Sequence, residues 1–225
     1  MNKHLCLILL WACTPALHQS AKEPPPGPER FAKTIDAWAR TDRHDPPPAD
    51  CTMFLGSSSI RRWNTLAEDF PGVQVLNRGF GGSKTSDVLH FFDKLIPAVK
   101  PARIVFYCGE NDIAKGAAPE VPALNWKRFV KLVRTVRPDT EFYYIPIKPN
   151  PKRWDFWPKY KAANRLIEAH CKTDPRLTYL GGIPGNMLGP NGKPRPCIFA
   201  EDRLHLNAAG YKIWAEQVRN ALGSP

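Results

Sequence analysis

Short apolar runs alternate with amphipathic segments along most of the chain. The runs Cys51–Leu55, Val73–Leu76, Arg103–Cys108, Phe142–Ile147 and Leu177–Leu180 are nearly continuous, the pattern of strands buried on both faces. Between them apolar residues return at helical spacing. Phe31, Ile35 and Trp38 mark a helix over Glu29–Thr41, and Val88, Phe92, Leu95 and Val99 a second that starts near Ser86 or Asp87. Trp126, Phe129, Val130, Val133 and Val136 mark a third, and Trp157–Cys171 and Ala208–Leu222 two more. Pro46, Pro47 and Pro48 separate the first helix from the first strand, and Pro146 and Pro149 end the fourth strand. Strands alternating with helices predict a parallel sheet covered on both faces, a three-layer α/β/α domain.

Composition changes this picture mainly at the amino terminus. At 225 residues and 43% hydrophobic content, the chain has enough apolar material for one core. Residues 1–21 read as a signal peptide: Lys3 precedes a mostly apolar run from Leu5 to Leu17, and the small residues Ser20 and Ala21 follow. The run is too short to span a bilayer, so export to the periplasm or outside the cell is expected rather than membrane insertion. Leu10-Trp11-Ala12-Cys13 resembles a lipoprotein cleavage box with Cys13 as the anchor, although Trp11 and the short leader weigh against that reading. Residues 22–50 comprise a stiff proline-rich linker and the first helix, and residues 51–225 the remaining domain. Cys51, Cys108, Cys171 and Cys197 are widely spaced, without zinc-type pairs, and leave one disulfide open. The net charge of +11 has its basic residues scattered and no nucleic-acid motif beside them, which favours an anionic small ligand over nucleic acid.

The chemistry concentrates where the strands end. Gly56-Ser57-Ser58-Ser59 follows the first strand and Asn77-Arg78-Gly79-Phe80-Gly81-Gly82-Ser83 the second. Gly109-Glu110-Asn111-Asp112 follows the third, and Asp202-Arg203-Leu204-His205 precedes the last helix. In an open α/β sheet such carboxyl ends converge on one ligand-binding edge. A serine hydroxyl needs an imidazole to take its proton, and the imidazole a carboxylate to orient it. Asp202 and His205, three apart in a turn, suit that pairing opposite Ser58. The Ser58 and Gly82 amides and the Asn111 side chain are candidate oxyanion donors. Each block also has a plainer reading, as helix cap, tight turn or packing residue; four together in one order outweigh it.

These four blocks resemble those of the SGNH hydrolase superfamily, the GDSL-type esterases and lipases, from about Thr52 to Leu222. The resemblance implies a flavodoxin-like five-stranded parallel sheet. It also implies Ser58 as nucleophile, Gly82 and Asn111 as oxyanion donors, and Asp202 with His205 completing a triad. The family's Gly-Asp-Ser motif here reads Gly56-Ser57-Ser58, which leaves Ser57 and Ser59 as rival nucleophiles. Glu110 and Asp112 lack the further spacing of a metal site, so neither metal nor cofactor is expected.

Arg62, Phe80, Lys148 and Trp154 are expected to contact substrate, with Arg153, Arg195 and Arg203 nearby as a basic and aromatic rim. The expected activity is short-acyl ester hydrolysis, with an acetylated carbohydrate as one substrate class. The alternatives are a lysophospholipase-type acylhydrolase, or a non-catalytic module for glycan or anionic lipid that carries a vestigial triad. Oligomeric state is not legible.

Overall fold

The computed structural model describes residues 27–48 and 50–223; the expected signal peptide, Cys13 and residues 22–26 of the linker lie outside them. The five apolar runs form strands β1 (Thr52–Gly56), β2 (Val75–Gly79), β3 (Arg103–Tyr107), β4 (Glu141–Tyr144) and β5 (Leu177–Tyr179). They pair in parallel in the order β2-β1-β3-β4-β5, the expected flavodoxin-like arrangement. Alternate residues of each strand enter opposite cores. Met53, Leu55, Ile104 and Phe106 face one with Trp126 and Phe129. Phe54, Val105 and Tyr107 face the other with Trp63 and Trp214. Burial on both faces is why polar residues in the central strands are confined to their first positions, Thr52 and Arg103.

Three elements depart from the sequence expectation. The expected helix through Val99 is broken into Thr85–His90 and Phe92–Leu95. Phe91 caps the first piece and opens the second, and Pro97 opposes continuation to Val99. β4 stops at Tyr144 because the side chain of Asn164, on helix Trp157–Cys171, takes over the backbone of Ile147, accepting from its N–H and donating to its carbonyl at 2.9 Å each. β2 begins and ends later than expected, because its polar Asn77 and Arg78 sit inside the strand with partners of their own.

The Arg78 partner fastens the amino-terminal helix, Ala32–His44, to the sheet. Its guanidinium donates to Asp42 of that helix, with both side chains almost wholly shielded from water. Phe31, Trp38, Phe80 and Phe91 close edge-on around the same corner. Burial raises the Asp42 carboxyl above its ordinary range although Arg78 opposes this, so the pair is held at the expense of desolvation. Removing one partner leaves the other charge buried alone. Asp42→Ala should therefore lower unfolding free energy by about 3–5 kcal/mol in urea titration. A loss under about 1 kcal/mol would mean that the pair is effectively solvated.

Candidate active site

The end of β1 fixes the first residue of the site. Gly56 has φ of 147°, and a Cβ there would fall 1.9 Å from the Tyr107 carbonyl oxygen. Its own carbonyl accepts from the Phe80 N–H at 2.9 Å, and the next N–H, of Ser57, donates to Tyr107 O at 3.1 Å. β1 is thus sewn to both neighbours up to its last residue, and Ser58 opens the short helix Ser58–Arg61 immediately beyond. The end of β2 abuts that helix. A Cβ at Gly79 would lie 2.1 Å from Arg61 N, and Asn77 Nδ2 donates to Ile60 O at 2.9 Å. Of the three serines, Ser57 and Ser59 are buried and only Ser58 is partly exposed.

His205 reaches Ser58 from the loop before the last helix. Its Nε2 lies 2.8 Å from Ser58 Oγ and its Nδ1 2.5 Å from Asp202 Oδ2. Asp202 Oδ1 accepts the N–H groups of Leu204 and His205, at 3.0 and 2.9 Å. The carboxylate therefore holds the turn and the ring together. A proton on Nδ1 satisfies Asp202 and leaves Nε2 as an acceptor for the serine hydroxyl. Burial disfavours ionisation of Asp202, but the hydrogen bonds from His205 and Leu204 outweigh it and hold the carboxyl well below its usual range. Burial lowers His205; Asp202 pulls it up, and the positive charges of Arg62 and Lys148 push it down again, so its net shift is below the ordinary imidazole value.

Asn111, on helix Glu110–Ala114, lines the same small recess as Ser58 and His205. Its Oδ1 accepts from Arg153 Nη1 at 3.1 Å and its Nδ2 donates to Ser83 O at 3.0 Å. Arg153 thereby fixes which end of the amide is the donor. Gly82 stands nearby in the chain with φ of 82°, but it does not line the recess, and its carbonyl accepts from Arg30 Nη2 at 3.2 Å.

The wall of the recess carries a charge cluster that the spacing of residues did not reveal. Glu110 accepts from Tyr107 OH at 2.5 Å, Lys148 Nζ at 2.6 Å and Arg153 Nη1 at 3.0 Å. Burial raises the Glu110 carboxyl, but Lys148 and Arg153 overcome this and keep it ionised, below its usual range. Two cations against one carboxylate leave a formal +1 beside Ser58. Glu110 and Lys148 stand 38 positions apart and Glu110 and Arg153 43 apart, so only the fold brings them together.

One expected substrate contact is corrected. Phe80 packs edge-on against Phe31 at 5.0 Å and is buried in the core, so it has no surface to offer a ligand. Lys148 lines the recess at Ser58, but it is fully shielded from solvent and its ammonium is committed to Glu110 and Tyr107, so it belongs to the recess wall and not to an exposed rim. Arg62 is at the site, largely exposed, with Nη1 3.5 Å from Asp202 Oδ2. Trp154 stacks on Trp157 at 6.1 Å and lines a separate, larger cleft. Asp112 accepts from Thr85 N–H and Oγ1, and no cluster of three metal-ligating side chains occurs among the described residues. The four cysteines there are free, and all but Cys197 are buried.

The charges around His205 generate a direct test. In wild-type protein the His205 ring should titrate below the ordinary value of roughly 6.5, followed by its imidazole NMR signals. Arg62→Gln removes a cation that opposes protonation, so the midpoint should rise. A midpoint that stays put or falls would contradict the electrostatic account.

A profile of the GDSL-like lipase/acylhydrolase family matches residues 47–213. Among solved structures, a candidate platelet activating factor from Streptococcus pneumonia is similar with a TM-score of 0.76 at 20% identity, over 87% of this chain and 94% of that one. A GDSL-like lipase from Bacteroides thetaiotaomicron gives 0.69 at 20% identity, over 87% and 96%. A catalytic mutant of an acetylxylan esterase from Geobacillus stearothermophilus gives 0.61 at 14%, over 77% and 94%. At these identities the likeness is one of fold. No curated protein matches the chain. The profile match runs through the Ser58, Gly82, Asn111 and His205 blocks, and the chain belongs to the GDSL-like lipase/acylhydrolase family, within the SGNH hydrolase superfamily.

Proposed function

We propose that the protein is a serine esterase that removes a short acyl group, acetyl above all, from a carbohydrate through an acyl-enzyme on Ser58. The observation that carries the reading is the line of contacts from Ser58 Oγ to His205 Nε2 to Asp202, at 2.8 and 2.5 Å. Ser58 Oγ attacks the ester carbonyl carbon while His205 Nε2 takes the hydroxyl proton. The negative oxygen of the tetrahedral species is met by the Ser58 N–H and Asn111 Nδ2, which line the recess, with the Gly82 N–H, outside that lining, as the third donor the family resemblance implies. Neither of those two backbone N–H groups has an acceptor among the described residues. The carbon–oxygen bond to the alcohol then breaks, and His205 returns the proton to the departing oxygen. Water attacks the acyl-enzyme with His205 again as base, releasing the acid and restoring the serine hydroxyl.

Acyl length follows from space. The recess at Ser58 is small, and its walls include the committed charges of Glu110 and Lys148. A long fatty chain has no apolar channel there. The leaving-group side is different, because a cleft of about 660 Å³ lies alongside. A small acyl group on a bulky alcohol fits that asymmetry. Residues 1–21 read as an export signal, which places the proposed substrate outside the cytoplasm.

With p-nitrophenyl acetate, butyrate and octanoate, kcat/KM should fall with chain length. Ser58→Ala should lose about 10⁴-fold or more in kcat, and Asn111→Ala about 10²–10³-fold. A preference for octanoate would favour the lipase-type alternative. Folded protein that hydrolyses none of the three would favour the binding module, and activity surviving in Ser58→Ala would overturn the nucleophile.

A further inference from the structure

Beside the recess at Ser58 lies a much larger cleft, with a volume of about 660 Å³. The two share walls. Arg153 and Leu204 line the recess, while their chain neighbours Trp154 and Arg203 line the cleft. Lys152 N–H donates to Arg203 O at 3.0 Å and ties these walls together. We propose that this cleft is the leaving-group subsite and that it takes a carboxylate-bearing saccharide. The proposal rests on the esterase reading above and narrows its substrate.

Charge argues first. Lys193, Arg195 and Arg203 line the cleft, and no acidic residue does. None of the three forms an ion pair with a carboxylate among the described residues, whereas Arg62 and Arg153 at the recess each have one. Arg195 gives Nη2 to Asn186 O at 2.6 Å, while its Nε is shielded and has no acceptor. A neutral sugar would leave these cations unanswered, whereas a uronate carboxylate supplies acceptors for them.

The walls argue next. Trp154 stacks on Trp157 and, in lining the cleft, offers an aromatic surface of the kind that a sugar ring covers. The opposite wall is a closed loop: Leu188 pairs with Pro194, Gly189 N–H donates to Lys193 O at 2.8 Å, and Arg195 N–H to Met187 O at 3.0 Å. With three prolines fixing its backbone, little ordering remains to be done on binding. Arg203 adopts φ of 57°, a left-handed conformation that a residue with a Cβ rarely takes. A strained residue that both joins the Asp202–His205 turn and lines the cleft is placed as a binding residue would be.

The same geometry argues against a fatty chain at Ser58, because Glu110, Asn111, Lys148 and Arg153 line that recess and offer it no apolar channel.

The test is calorimetric binding to full-length Ser58→Ala protein, so that it does not depend on turnover. The ligands are an oligogalacturonate, a xylo-oligosaccharide of equal length and glycerophosphocholine. The acidic oligosaccharide should bind about tenfold or more tightly than the neutral one, the advantage collapsing in about 1 M salt, where the Debye length is roughly 3 Å. A Lys193→Gln, Arg195→Gln double variant should lower that ratio towards one, and its circular dichroism reports whether it is folded. Equal binding of the two oligosaccharides, a ratio unchanged in the folded double variant, or a preference for glycerophosphocholine would overturn the proposal. Hydrolysis of p-nitrophenyl acetate by wild type, run in parallel, separates the cases. Hydrolysis without acidic preference removes the subsite alone, and acidic preference without hydrolysis removes the esterase reading while the anionic site stands.

Discussion

No side chain fits at Gly56, and the rest of the site depends on that. With a Cβ excluded by the Tyr107 carbonyl, β1 can lie against β3 up to its last residue while its own carbonyl receives Phe80. The strand then has nowhere to go but into a turn, and Ser58 is the residue that emerges from it, in reach of His205. The same close approach recurs at Gly79, which lets β2 press on the helix that carries Ser58. The hydroxyl is placed by backbone contacts, which a change of surface side chains does not disturb.

Electrostatics completes what the backbone begins. The cluster of Glu110, Lys148, Arg153 and Tyr107 is costly to bury, and unlike Arg78 with Asp42 it is not a simple fastening between elements. Its excess positive charge lies beside Ser58, it orients the amide of Asn111, and Lys148 within it lowers His205. One group of residues thus biases the base towards its neutral form and places a fixed positive field where negative oxygen would develop.

What was legible in the sequence follows from what each signal physically encodes. β1 and β3 were readable because both faces are buried and, after Thr52 and Arg103 at their starts, no position is polar. β2 was displaced in the reading because Asn77 and Arg78 look like loop residues until their partners, Ile60 and Asp42, are known. The reading took Val88 to Val99 as one helix, since periodicity registers apolar spacing and does not register the break at Phe91. Ser58, Asp202, His205 and Asn111 were legible as blocks at strand ends, and the fold brings them to one edge. Phe80 was misread because an aromatic residue in a glycine turn looks the same whether it faces ligand or core. Glu110 and Arg153 were singled out only as separate residues, since nothing in their spacing links them.

The site is therefore asymmetric, with a small polar recess at Ser58 and a broad basic cleft beside it. The central claim is that Ser58 is a nucleophile activated by His205. Its most direct measurement is the mass of full-length protein after treatment with a serine-reactive phosphonate, followed by peptide mapping. The account predicts one adduct, on Ser58, and much slower labelling in His205→Ala. An adduct on Ser57 or Ser59, or none on folded protein, would contradict it.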